Sequence, residues 1–353
     1  MTQNLSDPVI RTQEKPPSFG ESADLPSSAT AGPGRDQPER PRNLDAENAL
    51  CRLGLRHLDR ILALKVKVLK GRDAEAVHDF RVASRRLEAV LELLFPAPLP
   101  ADVKRLRRPI RRCRKMLSEA RDMNALADHL HAILARKRVA RRQAWTVIVR
   151  YFRGRRRKAF QQAQRKIGKA DFERAHARLR ARLSPAAFHA RSFSEPPILP
   201  AGWDSRMRGV MAHAGRILED RIARARESPE TRTVHAARIA AKRARYLAEV
   251  LHALGMPTSA EMTARLRELQ KLLGNWHDLE LLENAMIEVL ARPKFIRNHL
   301  DTGLEIGKLI AENRRKKKKV LAAFQKLAPE ILNAIHEWPA QGTPLGPEPL
   351  VKT

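Results

Sequence analysis

Aromatic side chains are scarce in this sequence, at 5% of residues with only two tyrosines. Surfaces that grip single-stranded nucleic acid stack bases on aromatic rings, so that mode has little material here. Cysteine is scarcer. Cys51 and Cys113 lack the spacing of a metal site or a disulfide framework. Both fall at apolar-periodic positions, which implies buried reduced thiols and a cytoplasmic chain. No run of eighteen apolar residues occurs, so no spanning helix is expected. The N-terminus lacks the basic and apolar regions of a signal peptide. Period-two alternation with hairpin turns is missing, so strands have no signature. There is no H-E-x-x-H, glycine-rich phosphate loop, Cys/His cluster or G-x-S-x-G, and no nucleophile–base constellation. No metal, cofactor or catalytic residue is therefore expected. The last shortage is acidic: 39 carboxylates face 69 lysines and arginines, for a formal charge of +30.

What is present is enough to fold. The 353 residues are 43% hydrophobic, sufficient for one large or two ordinary domains. Residues 1–44 carry eleven charged side chains of nearly balanced sign. The excess positive charge thus belongs to the part with an apolar period. A folded body so charged repels itself unless a polyanion shares the charge. One lysine or arginine is ordinarily a solvated face; sixty-nine are not so easily dismissed.

Residues 1–44, rich in Pro, Ser, Gly and Asp, read as a disordered tail. Helices follow over about Asp45–Lys70, Asp73 to before Pro96, Ala101–Ser118 with Pro109 inside, and from Arg121 past Arg136. A long basic helix covers roughly Arg138–Ile167 and a shorter one Asp171–Leu183. The proline-rich stretch 184–202 reads as a linker. The second half repeats the plan: Ser205–Arg226, a helix capped by Thr231 or Thr233, another to Leu273, one over Asp278–Leu290 after Gly274, and a last over Lys294–Leu332. Residues 336–353 form a flexible tail. The halves are 45–183 and 203–335, each a four-helix-type bundle in an all-α protein.

The halves share a motif. VHDFRVASRRLEAVLEL at 77–93 returns as VHAARIAAKRARYLAEV at 234–250, an offset of 157 residues. His78, Arg81, Arg86 and Glu92 recur as His235, Arg238, Arg243 and Glu249, with Arg85 recurring as Lys242. Arg111 and Lys115 map onto Arg267 and Lys271 at an offset of 156. Asp122 maps likewise onto Asp278. The basic run 155–158 has a looser echo at 314–319. Ordered matches at nearly constant offset mark an internal duplication.

At about 100° per residue, Phe80, Ala83, Leu87, Val90, Leu91 and Leu94 gather on one side and His78, Arg81 and Arg85 on the other. The second copy sets Ala237, Ala240, Ala244, Leu247, Ala248 and Leu251 opposite His235, Arg238, Lys242 and Arg245. Arg86 and Arg243 lie well round from these stripes, where they serve a neighbouring surface or snorkel. Arg111 with Lys115, and Arg267 with Lys271, are four apart and share a face. Arginine offers phosphate a planar fork and lysine a point charge; histidine donates to phosphate and charges beside a polyanion. Glu92 and Glu249 read as intrahelical salt bridges that orient the arginines. Asp122 and Asp278 read as N-cap or first-turn residues. The His78–Asp79 and His277–Asp278 dipeptides suggest a metal phosphohydrolase, but Asp79 becomes Ala236 in the second copy and His277 is matched by Arg121 in the first.

The H-x-x-R-[VI]-A-x-[RK]-R pattern at 78–86 and 235–243 resembles that of CHAD domains, the conserved histidine α-helical domains. LGNWHDLELL at 273–282 resembles the family's LG-x-x-x-D-x-x-x-L segment; LSEARDMNAL at 117–126 is a weaker match, with Ser118 in place of the glycine. The resemblance covers roughly 45–335. It implies two four-helix bundles related by a pseudo-two-fold axis, with a basic groove or cavity between them, and inorganic polyphosphate as ligand. It also implies a granule-associated cytoplasmic protein, and a stand-alone one, since the E-x-E-x-K signature of a fused triphosphate tunnel domain is missing. On that resemblance His78, Arg81, Arg85, Arg86, His235, Arg238, Lys242 and Arg243 would contact polyphosphate. Periodicity adds Arg111, Lys115, Arg245, Arg267 and Lys271. Non-enzymatic polyphosphate binding is the leading expectation, with nucleic-acid backbone binding and metal-dependent phosphohydrolysis as alternatives. The runs 155–158 and 314–319 are an accessory polyanion rim or plain solvated faces.

Overall fold

A computed structural model describes residues 40–70, 74–95, 98–135, 140–168, 172–186, 203–254 and 258–337. The expected N-terminal tail up to residue 39, most of the linker and the tail from 338 lie outside the described residues. In chain order the helices are α1 Arg40–Lys70, α2 Ala74–Leu94, α3 Ala101–Leu134, α4 Arg142–Gly168 and α5 Phe172–Leu183. They continue with α6 Trp203–Glu227, α7 Thr231–His252, α8 Thr258–Leu290, α9 Pro293–Asn298 and α10 Leu300–Glu337. No strand occurs among the described residues.

Amphipathic period explains the packing. All six apolar positions of α2 and all six of α7 named above are buried. α1 packs on α2, α2 on α3, and α3 on α4 and α5. In the second half α6 packs on α7, α7 on α8, and α8 on α10. The two motif helices, α2 and α7, also pack on each other, as do α3 with α8 and α4 with α10. One core cluster accordingly runs from Leu50 through Phe80, Leu91, Leu247 and Leu251 to Ile331. A second, around Leu126, Ile148, Phe152, Met286 and Ile306, lies among α3, α4, α8 and α10. Cys51 and Cys113 are free and buried, and burial pushes both thiols up to about 11.

Several expected boundaries are corrected. α1 begins at Arg40, ahead of Asp45. The break expected between Ser118 and Arg121 does not exist: α3 is continuous, through Pro109 as well. Leu117, Ala120, Met123, Leu126 and Leu130 are all buried, so the apolar period never lapses. α8 likewise runs straight through Gly274. An isolated helical glycine costs only ~1 kcal/mol, less than the burial of Leu273, Trp276 and Leu282 returns. Asp122 and Asp278 are therefore mid-helix residues, not caps. Arg141 takes a left-handed φ of 58° and pairs with Glu305 and Glu312, which delays the start of α4 to Arg142. At α7 the N-cap is Glu230, and Thr233 closes back on it by accepting the Glu230 N–H at 3.1 Å. His299, at φ −145° and ψ 50°, splits the last expected helix into α9 and α10, and α10 extends past Leu332.

Candidate functional site

Because α2 and α7 bury their apolar faces, Arg81, Arg85, Arg238 and Lys242 all leave from their polar sides. The mid-helix position of Arg121 on α3 brings it to the same place. Burial draws the Lys242 ammonium down to about 6, and Arg238, Arg121, Arg81 and Arg85 add to the fall. Arg238 is only 7% exposed. Burial lowers its guanidinium, Arg121 lowers it further, and Asp122 and Asp278 oppose. Burial also brings Arg81 down to about 10, against Asp122 and with Arg121, Arg85 and Arg114. Arg85 is lowered by burial and then by Arg114. Five cations from three helices thus share one partly buried volume.

Their anchoring is incomplete. Arg81 Nη1 donates to the Arg114 carbonyl at 3.0 Å and to Ser118 Oγ. The buried Nε of Arg238 and the buried Oδ1 of Asp278 have no hydrogen-bond partner. Buried polar side chains are ordinarily hydrogen-bonded, and the same shortfall is shared by a buried atom of each of Arg107, Arg206, Arg245 and Thr263. Asp122 is the principal counter-charge. Burial pushes its carboxyl up, but His277, Arg121 and Arg81 more than offset that and hold it at about 2. His277 Nε2 stands 3.8 Å from Asp122 Oδ2, an ion-pair rather than a hydrogen-bond distance. The His235 and His277 rings lie 5.7 Å apart. Burial lowers His235, as do His277 and Arg238.

Beyond the cluster the remaining arginines meet carboxylates. Glu88 accepts Arg114 at 2.6 Å and 3.0 Å, with Arg111 at 3.3 Å. Arg86 Nε donates to Glu249 at 3.1 Å, and Arg243 Nε to Glu92 at 3.0 Å. Arg245 and Arg267 also approach Glu249, at 3.6 Å and 3.9 Å. The intrahelical role expected for Glu92 and Glu249 is thus corrected for their closest partners: each closes a bridge between α2 and α7. The reason is direction, since Arg86 and Arg243 lie round toward the neighbouring motif helix.

The expected site residues fall into three groups. Arg81, Arg85, Arg238 and Lys242 converge. Arg86, Arg111, Arg243, Arg245 and Arg267 are held by glutamates. His78, His235, Lys115 and Lys271 are exposed. Sequence reasoning missed Arg121, Arg114 and His277. The signal for two of them was available: Arg121 and His277 are equivalent positions of the repeat, and both are basic. The basic runs are partly neutralised. Arg155 meets Glu119 and Glu288, Arg314 meets Glu283 at 2.7 Å, and Lys317 meets Glu280 and Glu283 while lying 5.0 Å from the Trp276 ring centre. Among the described residues, no three His, Cys, Asp or Glu side chains are grouped to hold a metal ion, and no helix is long and apolar enough to cross a membrane.

A family model described as CHAD domain matches residues 52–286. The fold is similar to the crystal structure of the CHAD domain from the plant Ricinus communis, with a TM-score of 0.54 and 22% identity, covering 83% of this chain and 92% of that one. It is also similar to PptA from Streptomyces chartreusis, with a TM-score of 0.58 and 20% identity, covering 80% of this chain and 98% of that one. No curated protein matches the sequence.

Proposed function

Since this chain belongs to the CHAD domain family, we propose that it binds inorganic polyphosphate without turning it over. The observation that carries this reading is the convergence of Arg81, Arg85, Arg121, Arg238 and Lys242 on one volume with Asp122, Asp278 and Glu88 as the nearby carboxylates. Such a volume is strongly self-repelling when empty, and a dense anionic chain relieves it. Polyphosphate places a charge on every phosphoryl unit and has no base to read, so guanidinium forks and one ammonium suffice. The two motif helices line a groove in this reading, one stripe from each repeat of a pseudo-two-fold body. The exposed His78, His235, Lys115 and Lys271 extend the path at its ends, and the protein sits on polyphosphate granules.

Binding of this kind releases counterions and weakens steeply with salt, by analogy with nucleic-acid phosphates. The test is competition at ~0.15 M salt, with labelled long-chain polyphosphate against tRNA and duplex DNA at equal phosphate concentration. Polyphosphate is expected to hold its place against both. Displacement by RNA at parity would replace this reading with nucleic-acid binding. Release of orthophosphate with Mg²⁺ or Mn²⁺, lost in His78→Ala or His235→Ala, would replace it with hydrolysis.

A further inference from the structure

The first turns of α10 divide into two faces. Thr302, Ile306, Leu309, Ile310 and Asn313 point inward and are buried. Leu300, Asp301, Leu304, Gly307, Lys308 and Ala311 point outward and are exposed. Leu300 and Leu304 are each 60% exposed, more than any other large apolar side chain among the described residues. A shallow groove of about 520 Å³ lies on this face, between Leu304, Gly307 and Ala311 on its apolar side and Asp301, Glu305 and Lys308 on its charged side. A Cβ on Gly307 would meet nothing within 4 Å, so packing within the chain does not call for a poor helix former there.

The outward stripe Leu300, Leu304, Gly307, Ala311 has spacings of four, three and four, those of a coiled-coil seam. It runs from two large residues to two small ones. Turned end over end by a two-fold axis, it becomes its own complement. Leu300 then falls opposite Ala311 of a second copy, and Leu304 opposite Gly307, large on small throughout. Asp301 and Lys308 flank the stripe on one side and meet across the same antiparallel contact, twice. Charge favours this place as well. A body of +30 repels its own copies over most of its surface. Here Asp301, Glu305 and Glu312 stand with Lys308 and Arg141, and Glu305 pairs with both cations at 2.7 Å. Leucines and carboxylates also suit this face poorly to a polyanion.

We propose that two copies of this chain associate through the outward face of α10, antiparallel and isologous. The proposal stands apart from the polyphosphate reading and needs no ligand. A contact of four residues on each side belongs to the weak end of protein interfaces. Leu304 in the space over Gly307 anchors it, and the paired Asp301 and Lys308 fix its direction.

The experiment is sedimentation equilibrium of the full chain from ~1 to ~300 µM, in ~0.3 M salt without polyphosphate, where the net charge is screened. The mass of the wild type is expected to rise toward that of two chains. Leu304→Glu and Gly307→Leu should each weaken association by ~10-fold or more, because a dimer loses two leucine seats, while the helical signal of the monomer is kept. Asp301→Lys and Lys308→Asp should each stay monomeric, since like charges then face each other. An equimolar mixture of those two variants should associate again, because both cross pairs become opposite in sign. A wild type that stays monomeric across the series overturns the proposal. Association that survives both Leu304→Glu and Gly307→Leu places the contact elsewhere and overturns it too. A mixture no more associated than either charge variant alone overturns the antiparallel pairing.

Discussion

Arg86 on α2 reaches Glu249 on α7, and the equivalent arginine of the second copy, Arg243, reaches back to Glu92 on α2. Donor and acceptor change places between the repeats. Glu249 is the more heavily used end, since Arg245 and Arg267 also lean on it and its side chain is 12% exposed. Glu249→Gln leaves three guanidiniums facing a neutral amide, whereas Arg86→Gln frees one partly exposed arginine site. The glutamate change is expected to cost about 1–3 kcal/mol and the arginine change ~1 kcal/mol or less. Urea unfolding of both, with the double variant to extract their coupling, measures the difference.

Removing a cation from the cluster has opposite effects on the empty and the loaded protein. Arg238 is buried with an unpartnered Nε. Arg121 and Arg85 repel it while Asp122 and Asp278 offset them only in part, so removing the charge relieves like-charge crowding in the free protein. Arg238→Met should therefore raise the Tm of the free protein. The same change should weaken polyphosphate binding by about tenfold or more, as expected for a lost charge-assisted hydrogen bond. Thermal unfolding with and without polyphosphate reads both effects on one sample. A lower Tm in the free variant would mean that Arg238 holds the fold.

Acid should loosen the free protein in two stages. The unfolded chain keeps a proton on Lys242 up to the ordinary value of 10.5, while the folded chain releases it near about 6. Between those values the unfolded state binds more protons, so stability drops as pH falls, by at most ~1.4 kcal/mol per unit. His57 then adds its own window. Burial, followed by Arg86, Arg56 and Arg60, lowers it from 6.5 to about 4, so folding loses stability between those values as the unfolded imidazole protonates first. Tm measured from about pH 9 to pH 5 should decline throughout, and Lys242→Met should flatten the part above 6.

Gly274 is the reverse case, a helical glycine with room to spare. A Cβ there meets nothing within 4 Å. Gly274→Ala should stabilise α8 by about 0.5–1 kcal/mol, because alanine loses less backbone freedom on folding. Chemical denaturation is the measurement. A destabilised variant would show that the neighbourhood of Trp276 needs the missing side chain.

Helix identity, the buried faces of α2 and α7, and the four central cations were legible because they repeat at a fixed offset and follow the 3.6-residue period. Two kinds of information were not. Continuity across Ser118–Arg121 and across Gly274 depends on tertiary burial of Leu117, Met123, Leu273 and Trp276, which overrides the local break signals. Pair identity was also hidden. The sequence reads Glu249 as an intrahelical salt-bridge partner, and only the crossing of α2 with α7 reveals Arg86 as its closest partner. Arg121 shows the same limit: the sequence places it at the start of a separate helix, and only the continuity of α3 through Ser118–Arg121 carries it to Lys242.

The crossed Arg86–Glu249 and Arg243–Glu92 bridges follow the rule of an isologous contact, in which residue i meets j and j meets i. A half-length chain bearing one such helix holds both partners of the contact and would find them on a second copy of itself. Joining the two copies in one polypeptide makes their meeting independent of dilution, since the tether fixes an effective concentration that free halves would have to reach in solution.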